Sequence, residues 1–152
     1  MRFSTLLDEL GVKSLPTLEE RIIFQKKLYF LQDLFGAFSR RYHFSWFIYG
    51  PYSSQAAKDA FSFIEIAEDF ELDVDDKKLK QLQELDALIG TDAKRWEMAA
   101  SIHYRRQQSP DISRDELFEE LSKKWAYLAD RAMFDEMWDL IEKKSNGLSR
   151  EE

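Results

Sequence analysis

Residues 42–58, YHFSWFIYGPYSSQAAK, constrain the fold more than any other stretch of the chain. Tyr42, Phe44, Trp46 and Ile48 alternate with His43, Ser45, Phe47 and Tyr49. Period two in aromatic and β-branched residues reads as a strand. Gly50-Pro51 follows as a rigid turn, since glycine relaxes the backbone and proline fixes φ. Ser53 or Ser54 can then accept N–H bonds at a helix start. A lone strand leaves its backbone groups unpaired. The best partner is Phe70-Glu71-Leu72-Asp73-Val74, where apolar and acidic residues alternate. The expectation is a mainly α (α+β) fold. A compact multi-helix domain carries a two- or three-stranded β element at about 42–49 and 70–74. A helix near 54–68 lies between the strands, with Ala56, Ala60, Phe61 and Ile64 on one side.

The remainder is patterned for helices. Residues 3–10 form a short one stopped by Gly11. Thr17 to Glu20 is a capping-box pattern opening a helix that runs to Phe35, with Gly36 as its stop. Its apolar positions, from Ile22 to Phe35, cover most of the circumference, which places it in the middle of the domain. Asp75 or Asp76 caps a helix carrying Leu79, Leu82, Leu85 and Ile89, and Thr91 or Asp92 caps the next, with Trp96 and Ile102. Ser113 and Glu116 form a second capping box. The last helix holds Tyr127 to Ile141 and is expected to end at Ser145-Asn146-Gly147, leaving a frayed tail at 148–152. The spacers are too short for a boundary, so residues 1–147 read as a single helical domain.

The chain has 152 residues, enough for a real core, and 14% of them are aromatic. Net charge is −7, with residues 1–50 carrying +2 and residues 51–152 carrying −9. That balance disfavours non-specific nucleic-acid binding, which needs cations to displace counterions. Lys26-Lys27 and Arg40-Arg41 could still form a local positive strip beside Tyr42 and Trp46, although the polar edge of a buried helix explains them better. The chain has no cysteine, so it has no disulfide framework or thiolate nucleophile. The N-terminal residues lack an apolar signal core, and no run approaches a membrane span. The expected location is the cytoplasm, with no membrane association.

Chemical motifs are scarce. His43 and His103 stand sixty residues apart without metal-ligand spacing around them, so no metal or cofactor is expected. His103 lies with Arg105 and Arg106 at a helix end, where cations complement the dipole. The acids between Glu65 and Asp76 read as the wet face of a strand rather than a calcium loop. No phosphate-binding glycine loop and no nucleophile motif occurs, which argues against an enzyme.

Three segments together resemble one prokaryotic family. FQKKLYFLQ at 24–32 is similar to its first helix, YHFSWFIYGPYSSQAAKD at 42–59 to its aromatic strand, Gly-Pro turn and following helix, and ISRDELFEELSKKW at 112–125 to its late helix pair. The family is the YwgA-like group of uncharacterised proteins, related to the Panacea or SocA-like antitoxin domain. The resemblance implies a compact, mainly helical domain and an antitoxin-like role, in which a partner toxin is neutralised by direct binding. Tyr49, Gly50, Pro51, Tyr52 and Ser53 carry the family signature and are the candidate partner-binding residues; no catalytic residue is assigned. The alternative function is a nucleic-acid-binding regulator with a winged-helix shape. The sequence leaves the oligomeric state open.

Overall fold

A computed structural model describes residues 1–151, with side chains through Leu148. The fold is organised by two helices buried on nearly every side: α2 (Leu18–Asp33) and α5 (Ala93–Gln108). Residues 24–31 of α2 are buried without a break, and so are residues 96–103 of α5. An unbroken buried run has no wet face, so both helices must lie in the interior, as the all-round apolar pattern of α2 requires. Around them stand α1 (Phe3–Glu9), α3 (Ser54–Ile66), α4 (Asp76–Ile89), α6 (Arg114–Lys124) and α7 (Arg131–Glu151). These are amphipathic. In α4, for example, only Leu79, Leu82, Leu85 and Ile89 are buried, at helical spacing. The fold is thus mainly helical with a small two-stranded antiparallel sheet.

Most helix starts lie where short polar side chains can accept backbone N–H groups. Thr17, Ser53, Asp75, Asp92 and Ser113 all do so. Helix α2 closes with paired bonds from Gly36 N–H to the Gln32 carbonyl and from Ala37 N–H to the Leu31 carbonyl. Gly36 sits at φ 80°, the left-handed position this closure needs. Helix α7 begins at the cap of Asp130, which accepts from Met133 N–H, after a separate 3₁₀ turn at Ala126–Leu128. It does not stop at Ser145-Asn146-Gly147 but continues to Glu151; the final residue of the expected 148–152 tail lies outside the described residues. Gly147 weakens a helix interior only by about 1 kcal/mol, too little to end it.

The sheet differs in its pairing from the expectation. Strand β1 (Ser45–Phe47) pairs with β2 (Gly50–Tyr52), not with residues 70–74. Reversal happens at Ile48-Tyr49, one step before the Gly-Pro, and Gly50 at φ 88° is the left-handed residue that commonly follows such a turn. Trp46 lies opposite Pro51. Proline has no N–H, so this is a non-hydrogen-bonded pair, and the ladder loses nothing.

Residues 70–74 alternate as read, with Leu72 and Val74 buried and Glu71 and Asp73 exposed, but they serve the N-terminus instead. Leu72 exchanges backbone bonds with Met1, and Phe3 N–H donates to the Phe70 carbonyl. Asp69, in the acidic run read as a solvated face, has a structural task. Its carboxylate accepts from Ser4 N–H at 3.1 Å and Ser4 Oγ at 2.6 Å, and these bonds hold its pKa below the usual carboxylate value. It thereby caps α1, whose own cap position, Arg2, supplies no side-chain acceptor. Asp73 anchors the turn Phe38–Arg40, three successive residues at positive φ, through its carbonyl to Phe38 N–H and its carboxylate to Ser39 Oγ.

Candidate functional site

Helix α2 presents its N-terminal half to a groove. The hairpin tip and α3 form the other walls. The cavity measures about 600 Å³ and is lined mainly by apolar side chains, among them Ile22, Phe24, Phe47, Ile48, Tyr52, Ala60 and Phe61. Each wall is fixed by the local sequence. Ser53 caps α3 directly after β2, so the hairpin and α3 leave one point at a set angle. Gln25 of α2 clamps that point: its side-chain amide donates to the Ser53 carbonyl and accepts from Ser53 N–H, both at 3.0 Å. Arg21 donates to the carbonyls of Leu15 and Pro16, holding the segment before α2 as the outer lip.

Four of the apolar lining residues remain open to water. Leu18 is 46% exposed, Phe47 54%, Ile48 57% and Phe61 59%. Phe47 and Tyr52 stack across the hairpin at 5.4 Å.

Polar chemistry lies beneath the apolar lining. Lys26 is 1% exposed and lines the cavity. Its Nζ donates to the Pro51 carbonyl at 2.8 Å, the group that faces away from β1 because of the pairing above. Burial lowers its pKa to about 7, with Glu97 opposing the shift. Glu97 on α5 is buried too; burial raises its pKa, and it accepts a bond from Tyr127 Oη at 2.8 Å. Ser101 Oγ is buried without a hydrogen-bond partner among the described residues. Gly50 lies against it, so that a Cβ added at Gly50 would sit 2.6 Å from Ser101 Oγ.

The five signature residues therefore divide. Gly50, Pro51 and Ser53 are buried between α2 and α5 and shape the hairpin. Tyr49 and Tyr52 are half-buried and line the groove.

The positive strip is not formed. Lys26 and Lys27 are both inside, Lys27 pairing with Asp86 at 3.2 Å, and Arg41 is bound to the buried Asp59 at 3.0 Å. Nor are the two lysines the polar edge of the helix, because α2 has no such edge at that level. A helix apolar almost all round leaves any lysine within it no route to water, and that was the available signal. His103 is likewise no exposed cation at a helix end. It is 3% exposed, hydrogen-bonded through Nδ1 to Tyr29 Oη, and neutral, its pKa pulled down to about 4 by burial and by Arg106. Among the described residues no cluster of three or more His, Asp or Glu could hold a metal.

Trp46 points away from the groove. It stacks on Tyr104 at 5.4 Å, meets Trp125 at 5.3 Å and lies under the Lys124 ammonium at 4.6 Å. The ring is half-buried, so Trp46→Ala is expected to cost about 2 kcal/mol by urea denaturation. That lies between the roughly 3–5 kcal/mol of a fully buried ring and the roughly 0.5 kcal/mol of a surface position.

Among known proteins, no family model matches this chain, and neither does any curated protein or solved structure.

Proposed function

We propose that this chain is a protein-binding module, antitoxin-like in acting by direct contact with a partner protein, and that the groove between α2, the hairpin and α3 receives that partner. The observation that carries this reading is that Leu18, Phe47, Ile48 and Phe61, all strongly exposed, line one apolar groove. Large apolar side chains gathered at one place on a soluble surface mark interaction sites, whereas scattered ones do not. A protein surface laid over the groove would cover all four. A binding rather than a catalytic role fits the same lining, in which the side chains of Arg21, Gln25 and Lys26 are bonded to backbone groups.

The positive strip that would serve a nucleic acid has two of its four cations in the interior, which supports a protein partner over the nucleic-acid alternative. Among the described residues no helix is long and apolar enough to cross a membrane.

The test is co-expression with the product of the neighbouring gene. The wild type should restore growth that this product arrests. Phe61→Ser combined with Ile48→Ser should not, at equal abundance and unchanged melting temperature. A neighbouring product that arrests nothing removes the antitoxin role. Full rescue by the double variant removes the groove.

A further inference from the structure

Helix α3 carries an exposed stripe formed by Ser54, Lys58, Phe61 and Glu65. Steps of four, three and four residues keep these side chains on one face of the helix. Phe61 lines the groove and also a second, open depression of about 420 Å³, shared with Ser54, Gln55, Ala57 and Lys58. Lys58 and Glu65 are both exposed, and among the described residues neither has a hydrogen bond or an ion pair. They stand two turns apart with Phe61 between them.

A face with one charge of each sign on either side of an apolar centre is complementary to itself when turned end for end. Set two such helices antiparallel about a two-fold axis at Phe61-Ser62. Lys58 of each copy then meets Glu65 of the other, and the two Phe61 rings meet at the centre. A parallel pairing would oppose lysine to lysine and glutamate to glutamate, which is repulsive.

We propose that this face is covered by a second copy of the chain, bound through α3 in an antiparallel two-fold pair. A two-fold contact requires a self-complementary patch, whereas a contact with a different protein does not. The pair goes beyond the partner reading above. It shares Phe61 and Glu65 with the groove, so a second copy on α3 and a partner in the groove exclude one another. Helix α3 has 13 residues and is about 20 Å long, so one face of it buries less than a standard interface. The association is accordingly weak, and its exposed charge pairs make it sensitive to salt.

Sedimentation equilibrium of the full chain at low salt is the test. The wild type should dimerise with a dissociation constant on the order of 100 μM. Lys58→Glu and Glu65→Lys each place like charges opposite one another, twice per pair, and should weaken the dimer about tenfold or more. An equimolar mixture of the two variants should recover the wild-type affinity to within about threefold, because both contacts again join opposite charges. Unchanged thermal melts verify that the variants fold. A wild type that stays monomeric at about 0.5 mM overturns the pair. A dimer indifferent to both reversals overturns α3 as its contact. Weakening of both variants without recovery in the mixture overturns the antiparallel register. No partner protein enters these measurements, so their failure is distinct from failure of the co-expression test.

Discussion

The unfolding free energy of the wild-type chain should rise by about 3 kcal/mol between pH 7 and pH 9.5 on account of Lys26, and the rise should be absent from Lys26→Met. In the unfolded chain the amine keeps its proton up to its ordinary value of 10.5; in the folded chain it releases it at about 7, because burial disfavours the ammonium. Between these values the unfolded state binds more protons, so stability climbs with pH. The penalty is absent above 10.5, grows as pH falls towards 7 and is constant below. Lys124 is also lowered, mainly by burial, and acts in the same direction, but it is common to both proteins, so their difference isolates Lys26. His103, lowered to about 4 from 6.5, acts only below the window. Tyr29, Tyr42 and Tyr127 are all raised from 10.0, mainly by burial, and lower stability only above it. Urea denaturation of both proteins at the two pH values measures the difference. Equal slopes would mean that the Lys26 amine reaches solvent in the folded state.

Gly50→Ala should destabilise the protein by about 3 kcal/mol, from two separable causes. At φ 88° an L side chain meets backbone strain of roughly 1–2 kcal/mol. The new methyl would also lie 2.6 Å from Ser101 Oγ, and overpacking of this kind costs roughly 1–3 kcal/mol. Ser101→Ala removes the clashing atom together with a buried hydroxyl that has no partner, so alone it should be close to neutral or slightly stabilising. In the double variant the packing cost disappears and the strain of about 1–2 kcal/mol remains. Thermal melts should show a fall of roughly 6–12 °C for Gly50→Ala and about half of that for the pair. Strict additivity of the two single changes would separate Gly50 from α5 and undo the account of why glycine stands there.

These two residues also mark how far the sequence could be read. Gly50-Pro51 was visible as a rigid element before a helix, and Ser53 as its cap. The position of the reversal was not visible, because a Gly-Pro can end a turn as well as make one, and only the close approach to Ser101 distinguishes these. Alternation over residues 70–74 was legible, and the buried face was the right one. Its partner was not, because alternation specifies a face and says nothing of which backbone lies alongside; Met1 to Phe3 occupy that edge. For the groove, Tyr49 and Tyr52 were found through the signature. Spacing gives Phe61 only a helix face, and Lys26-Lys27 reads as a polar helix edge, although the pattern around it leaves no wet side.

Local chemistry, then, was written in the chain: where helices begin, that α2 lies in the interior, and that the strand residues alternate. These follow from interactions spanning a few residues, which sequence spacing reports directly. The docking of residues 70–72 beside the N-terminus, the burial of Lys26 and the groove itself were decided by contacts between segments 25 to more than 70 residues apart. Such contacts depend on which surfaces meet when the helices pack, and a one-dimensional pattern does not encode that meeting.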